Sequence, residues 1–380
     1  MKTLGDVIVT RGGSVNPSAF PDEEFELYSI PAHDRGGPDI VLGSEIGSSK
    51  QIVHPGDVML SKIIPHIRRA RVVGPLRGRR QIASGEWIVF RGEGLNAGFL
   101  RHFLLSDNFH RQFMNTVAGV GGSLMRARPA QVKTIALPHP ALPEQRRIAA
   151  ILDHADALRA SRRQILIHLN DLLASTFDAM FGKFSWPTAT LDDISLIAGE
   201  YGANVPSVAC DKELPRYVRI TDISASGALG DDVRSPGGAR HDWMRYQLVD
   251  GDLLFARSGA TVGKTYRYRS TDGECVFAGY LIRYRPDPEL VDPDYLFGLT
   301  KTARYASWVA ARQNVVAQPN INAKQYGREL PIPLPPLDLQ RKFAARVEAI
   351  NRQRAAIQNA ISVDDELFAS LQSRAFRGEL

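Results

Sequence analysis

The chain has 380 residues, 44% of them hydrophobic and 23% charged, the balance of an ordinary globular protein with room for two or three domains. Only Cys210 and Cys275 are present, which excludes a disulfide framework and any Cys-rich zinc site. No run nears the roughly 18 apolar residues of a membrane helix, and a net charge of +6 points toward a polyanionic partner.

The start, MKTLGDVIVTRGG, carries no apolar signal core, so the chain is expected in the cytoplasm. Residues 1–137 read as a β-rich domain of short strand-like runs, such as EWIVFRG, separated by glycine turns. Between Asp57 and Glu86 there is no acidic residue, while Lys62, Arg68, Arg69, Arg71, Arg77, Arg79 and Arg80 all fall in that window. Like charges without a local acid repel one another unless a polyanion neutralises them. GGSLMRARPAQ follows, with Arg126 and Arg128.

Pro138, Pro140 and Pro143 then mark a boundary, and proline is favoured in a first helical turn. From there to Phe181 no proline or glycine interrupts the chain, and Ile148, Leu152, Ala155, Leu166, Leu169 and Leu173 recur at steps near 3.5. A long helix is expected over 138–183.

Residues 184–332 read as a second β-rich domain. Within it, SGATVGKTYRYR nearly spells a phosphate-binding P-loop, but only three residues separate Gly259 from Gly263 where the nucleotide loop needs four. The alternating aromatic and basic run behind it reads as a strand rather than a helix. A glycine hairpin is expected, with no nucleotide site. ARQNVVAQPNINAKQYGREL (311–330) is rich in amides, Gln313, Asn314, Gln318, Asn320 and Asn322, which can pair with adenine. Asn320 and Asn322 could equally cap or turn the chain. Pro331, Pro333, Pro335 and Pro336 open a second long helix over 333–380, with Phe343, Val347, Ile350, Ile357, Ile361, Phe368 and Leu371 on its seam.

The two halves are copies. LPHPALPEQRRIAAIL recurs as IPLPPLDLQRKFAARV, with Gln145 on Gln340 at an offset of 195 that also aligns Phe181 with Phe376. Pro55-Gly56-Asp57-Val58-Met59 meets Asp250-Gly251-Asp252-Leu253-Leu254 at the same offset, and TLGDVIVTRGG matches TLDDISLIAGE at 187. Such a period marks a duplicated domain. A lone amphipathic helix of roughly 55–60 Å would be unstable, so the two helices are expected to pair. Arg159, Arg162, Arg354 and Asp364 interrupt the seams; such charges either set register or lie at the seam edge, and the second reading is preferred.

In this plan, and in ALPEQRRIAAILDHADAL, PLPPLDLQRKFAARVEAI, FARSGATVGK, YVRITDI and SLQSRAFRGEL, the chain resembles the specificity (S) subunits of type I restriction-modification systems. Copy one departs from the loop pattern, reading LSKIIPHIRRA where copy two reads FARSGATVGKT. The resemblance implies an α+β fold with an internal pseudo-twofold repeat: two target-recognition domains joined by two long antiparallel coiled-coil helices. Each domain would read half of a split double-stranded DNA target, and the helices would fix the gap. The helices would also dock two methyltransferase subunits, which bring S-adenosylmethionine, while restriction subunits use ATP and Mg. This chain would hold no cofactor or metal and catalyse nothing.

Its expected DNA contacts are Lys62, Arg68, Arg69, Arg71, Arg79, Arg126, Arg257, Ser258, Lys264, Arg267, Gln318, Asn320 and Asn322. Lys62 aligns with Arg257 and Arg69 with Lys264, so a cation recurs at equivalent points. No lysine has an acid two residues before it, as a common metal-dependent nuclease motif requires. No [D/N]-P-P-[Y/F] methyltransferase loop, H-x-x-x-H pair or G-x-S-x-G elbow occurs. A protein-binding scaffold, and a specificity subunit of a related type II or other defence system, remain as alternatives.

Overall fold

The computed structural model describes residues 2–10, 12–118, 125–183, 185–313 and 319–380. The chain divides into two compact units, residues 1–162 with 360–380, and residues 163–359. Each unit therefore includes part of both long helices, which the sequence boundaries at 138–183 and 333–380 had set apart. The reason is packing: each β-rich domain buries apolar side chains against those helix segments.

In the first unit, β1 (Glu24–Tyr28), β2 (Asp39–Leu42), β3 (Lys50–Ile52), β4 (Val58–Ser61), β5 (Ala70–Val72), β6 (Arg80–Ala83) and β7 (Trp87–Phe90) form two sheets. The sheet that positions the site has the order β5–β4–β7, all antiparallel. Two helices follow, α1 (Ala97–Leu104) and α2 (Asp107–Met114), then a short turn of helix α3 (Pro129–Val132) and the long α4 (Leu142–Phe181).

The second unit repeats that order. Strands β8 (Ser195–Tyr201), β9 (Arg216–Val218), β10 (Leu253–Ala256), β11 (Thr265–Arg267), β12 (Cys275–Phe277) and β13 (Leu281–Pro286) precede α5 (Pro293–Leu299), α6 (Ala303–Gln313), α7 (Ala323–Glu329) and the long α8 (Leu337–Arg377). The strand set β11–β10–β13 reproduces β5–β4–β7. All four residues of β10 are buried, because successive side chains alternate between two cores: Leu253 and Phe255 enter one, Leu254 and Ala256 the other. A strand covered on both faces reads as an unbroken apolar run, which is why the sequence shows LLFA instead of alternation.

The aligned motifs are shared hydrogen-bond devices. Asp6 accepts from the Thr3 N–H at 2.7 Å, and Asp193 from the Thr190 hydroxyl at 2.7 Å and the Thr190 N–H at 3.0 Å, and these bonds hold both carboxyls below the usual range. Asp57 accepts both arms of Arg91 at 2.6 Å, and Asp252 accepts Arg285 at 2.7 and 2.9 Å. Gln145, fully buried, accepts from the Asn96 N–H that precedes α1 and donates to the Pro140 carbonyl, both at 2.9 Å. Gln340 does the same to Asp292 at 2.9 Å, before α5, and to Pro335 at 2.8 Å. Each proline boundary is thus tied to its domain through one buried amide.

Helix packing follows the repeat as well. Phe376 meets Phe99 and Phe103 of α1, as Phe181 meets Tyr295 of α5 and Phe343. Within the first unit the two long helices run antiparallel, since Arg147 donates to the Leu380 carbonyl while Arg159 pairs with Asp365 at 2.6 Å. Arg162 also pairs with Asp364 at 2.9 Å. Arg159, Arg162 and Asp364 therefore bind across the helices, as charges that set register would, whereas Arg354 bonds Asn351 of its own helix. Among the described residues, no helix is long and apolar enough to cross a membrane.

Candidate nucleic-acid interface

The P-loop-like stretch is a hairpin. β10 and β11 pair antiparallel, with Gly259 (φ +68°) and Gly263 (φ +85°) in left-handed backbone that glycine adopts without penalty. A valine stands against Gly263, and a Cβ there would meet Val309 at 2.7 Å. These glycines serve turn geometry and close packing. Lys264, expected on a phosphate, donates to the Ile223 carbonyl at 3.0 Å. Arg267, also expected there, is buried between Asp250 at 3.2 Å and Asp294 at 3.5 Å. Lys264 thus has a carbonyl partner within the fold, and Arg267 has two carboxylates.

In the basic window of the first unit, several cations are likewise paired within the fold. Arg69 is buried and binds Asp34 through two bonds of 2.7 Å, which hold that carboxyl below its usual range. Arg68 pairs with Asp107 at 2.6 Å, and Arg79 with Glu24 at 2.8 Å. Arg80 forms a fork with Glu23 and lies over the rings of Phe20 and Phe25. Arg71 donates to the Gly36 carbonyl at 3.2 Å beside the Tyr28 ring. The window lacks acids only along the chain. In space, residues 23, 24, 34 and 107 supply them.

One loop in each unit is built alike. The loop after β4 lies against residues 125–128: Ile63 bridges Arg126, the Ile64 N–H donates to Met125, and the Ala127 N–H to Lys62. After β10 the matching loop meets residues 319–321: Ser258 bridges Asn320, the Gly259 N–H donates to Pro319, and the Ile321 N–H to Arg257. Ile63 and Ser258 are equivalent under the repeat, so a signal in both copies places loop and partner strand together.

On the first of these surfaces, Lys62 makes no side-chain bond among the described residues. Arg126 is 63% exposed with only Glu86 nearby, at 3.9 Å, and Arg128 is exposed. Ile64 is the one non-glycine residue in left-handed backbone among those described, at φ +46°. For a β-branched residue this conformation stores about 1–3 kcal/mol of strain, which is characteristic of binding loops.

On the second surface, Arg257 lies 4.8 Å over the ring of Tyr201 and its buried Nε has no hydrogen-bond partner among the described residues. Its N–H bonds the carbonyl of Tyr280, a tyrosine with 59% of its surface exposed. The sequence reading missed Tyr201 and Tyr280. The turn Ala278-Gly279 before Tyr280 was the available signal, since a large aromatic at a strand's exposed start has no core to fill. Asn320 is exposed beside Ser258. Gln318 and Asn314 lie outside the described residues, and Gln313 reaches the Val262 carbonyl at 3.5 Å.

Asn322 resolves as a cap. Its Oδ1 accepts from the Gln325 N–H at 2.9 Å, and Gln325 returns a bond to the Asn322 N–H at 3.0 Å. Asn322→Ala is expected to cost about 1 kcal/mol of stability in a denaturation curve and to leave DNA affinity unchanged at equal folded fraction. A loss of affinity without loss of stability would return Asn322 to the interface.

The arrangement suits a polyanion on both units: exposed guanidinium and ammonium groups, main chain at close approach, and aromatic rings beside them. Among the described residues no group of His, Cys, Asp and Glu is placed to hold a metal ion.

In sequence, the chain is 25% identical over 309 residues to the type I restriction enzyme EcoKI specificity subunit of Escherichia coli K12, covering 75% of this chain and 66% of that one. It is 25% identical over 316 residues to the StySPI specificity subunit of Salmonella potsdam, with the same two shares. With the EcoDI specificity subunit of Escherichia coli it shares 25% identity over 203 residues, 52% of this chain and 42% of that one. The chain thus spans between 42% and 66% of the length of these curated relatives. No family model matches. In fold it is similar to the crystal structure of the type I restriction-modification S subunit from M. genitalium, with a TM-score of 0.59 at 13% identity over 98% of this chain and 95% of that one. A chain of another solved type I restriction-modification system gives 0.56 at 21% identity, covering 100% and 97%.

Proposed function

We propose that this chain, whose sequence and fold resemble those of type I restriction-modification specificity subunits, is the DNA-recognition subunit of such a complex and reads a bipartite double-stranded target. One observation carries the reading. The same strand, loop and partner segment recur in both units, and in each they present cations without a close carboxylate partner among the described residues, Lys62 and Arg126 in one and Arg257 in the other. A duplicated surface with different side chains is what two half-sites of different sequence require. The chain itself would be non-catalytic. Two methyltransferase subunits would dock on the long helices and supply S-adenosylmethionine chemistry on adenine, and restriction subunits would supply ATP- and Mg-dependent cleavage. The complex would work in the cytoplasm.

The phosphate component is tested through salt. Each phosphate contact released contributes about one unit to the slope of log affinity against log salt. Lys62→Ala, which breaks no internal bond, is expected to weaken binding to all duplexes alike and to lower that slope by about one. An unchanged slope and affinity would remove the loop after β4 from the interface.

A further inference from the structure

The second unit has an arginine whose counterpart in the first unit is fully neutralised. Arg159 of α4 sits between Asp156 at 3.2 Å and Asp365 at 2.6 Å, with Phe368 under its guanidinium. The repeat carries Arg159 to Arg354 of α8, but it carries the two acids to asparagines, Asn351 and Asn170. Arg354 finds only the Asn351 amide oxygen, at 3.3 Å, and has no carboxylate partner among the described residues. A half-buried guanidinium without an anion is costly.

Arg354 lines a cavity of about 330 Å³ together with Arg216, Arg267 and Arg269. The acids near it are engaged. Asp272, on the wall, accepts from the Tyr266 hydroxyl at 2.6 Å, and Asp294 serves both Arg267 and Arg269. The Nε of Arg216 is buried without a hydrogen-bond partner among the described residues, whereas the Arg267 Nε lies 3.5 Å from Asp294. Behind the wall residue Phe297, Lys301 packs 4.5 Å from its ring. Burial first, and the Arg354 charge second, push that ammonium down to about 7.

We propose that this cavity binds a tetrahedral oxyanion, a phosphate or sulfate group, with Arg354 as its principal counter-charge and the Arg216 Nε–H as a further donor. Guanidinium forks match such oxyanions geometrically. The site is distinct from the loops that carry the DNA-reading proposal, and its existence does not depend on that reading.

The experiment is calorimetric titration of the full chain with sodium sulfate at constant ionic strength, without DNA. Saturable binding is expected, with proton uptake near pH 7.5, because an anion beside Arg354 raises the Lys301 ammonium toward its ordinary value. Asn351→Asp restores the acid found in the other copy and is expected to weaken sulfate at least tenfold while the protein stays folded. Arg354→Gln should do the same. A duplex that displaces sulfate would assign the site to a backbone phosphate; a saturating duplex that leaves sulfate bound would assign it to a free anion. No saturable sulfate binding, or equal binding by Asn351→Asp, would overturn the proposal.

Discussion

Asp252→Ala is expected to destabilise the second unit by about 3–5 kcal/mol, the usual cost of leaving a buried cation without its partner. Asp252 is completely buried. It accepts Arg285 through two bonds, takes a third contact from Arg283 at 3.4 Å, and caps the turn at the Val249 N–H. Arg283, 5% exposed, keeps Glu200 as a partner, but Arg285, 25% exposed, loses both of its bonds to a carboxylate. The equivalent change in the other copy, Asp57→Ala, should cost less, about 2 kcal/mol, because Arg91 is 43% exposed and can be rehydrated. Calorimetry of the two variants reads this directly, at roughly 2–4 °C per kcal/mol for units of this size. Equal melting shifts for both substitutions would mean that burial of the arginines does not control the cost.

Arg126→Ala and Arg257→Ala are expected to affect different halves of the DNA target. Each residue lies on or beside the loop of its own unit, and neither guanidinium is held in a close ion pair, so truncation would remove the proposed DNA contact without removing a support. Loss of one base contact costs about 1–3 kcal/mol and acts nearly independently of well-separated contacts. Selection from randomised duplexes should therefore show Arg126→Ala relaxing one half-site by about five- to a hundredfold while the other half keeps its preference, with Arg257→Ala doing the reverse. Either variant blurring both halves equally would point to one composite surface.

The features legible from sequence are those set by local or repeated signals. Proline clusters at 138–143 and 331–336 open helices, seam residues near a 3.5 period sustain them, and Tyr266-Arg267 following Gly263 turns a P-loop lookalike into a hairpin. The 195 offset brought out Gln145 with Gln340 and Asp57 with Asp252 before either had a role. The basic window was misleading because charge counted along the chain ignores strand pairing. β1 lies beside β6, which brings Glu23 and Glu24 to Arg80 and Arg79, and the short helix Ile30–Asp34 brings Asp34 to Arg69. The seam charges were misread for the same reason, since Arg162 and Asp364 are partners separated by most of the chain. Tyr201 and Tyr280 were missed because an aromatic's exposure depends on which strand end it occupies, and periodicity alone does not set that.

The central claim, that this duplicated chain gives a modification complex its target, is tested most directly by mapping methylated adenines across the genome of cells with and without the gene. One bipartite motif, two short specific halves around an unspecified gap, should be methylated in the first and unmethylated in the second. It should return on complementation with the intact gene, and return with one altered half on complementation with Arg126→Ala. A methylation pattern that is identical with and without the gene would contradict the account.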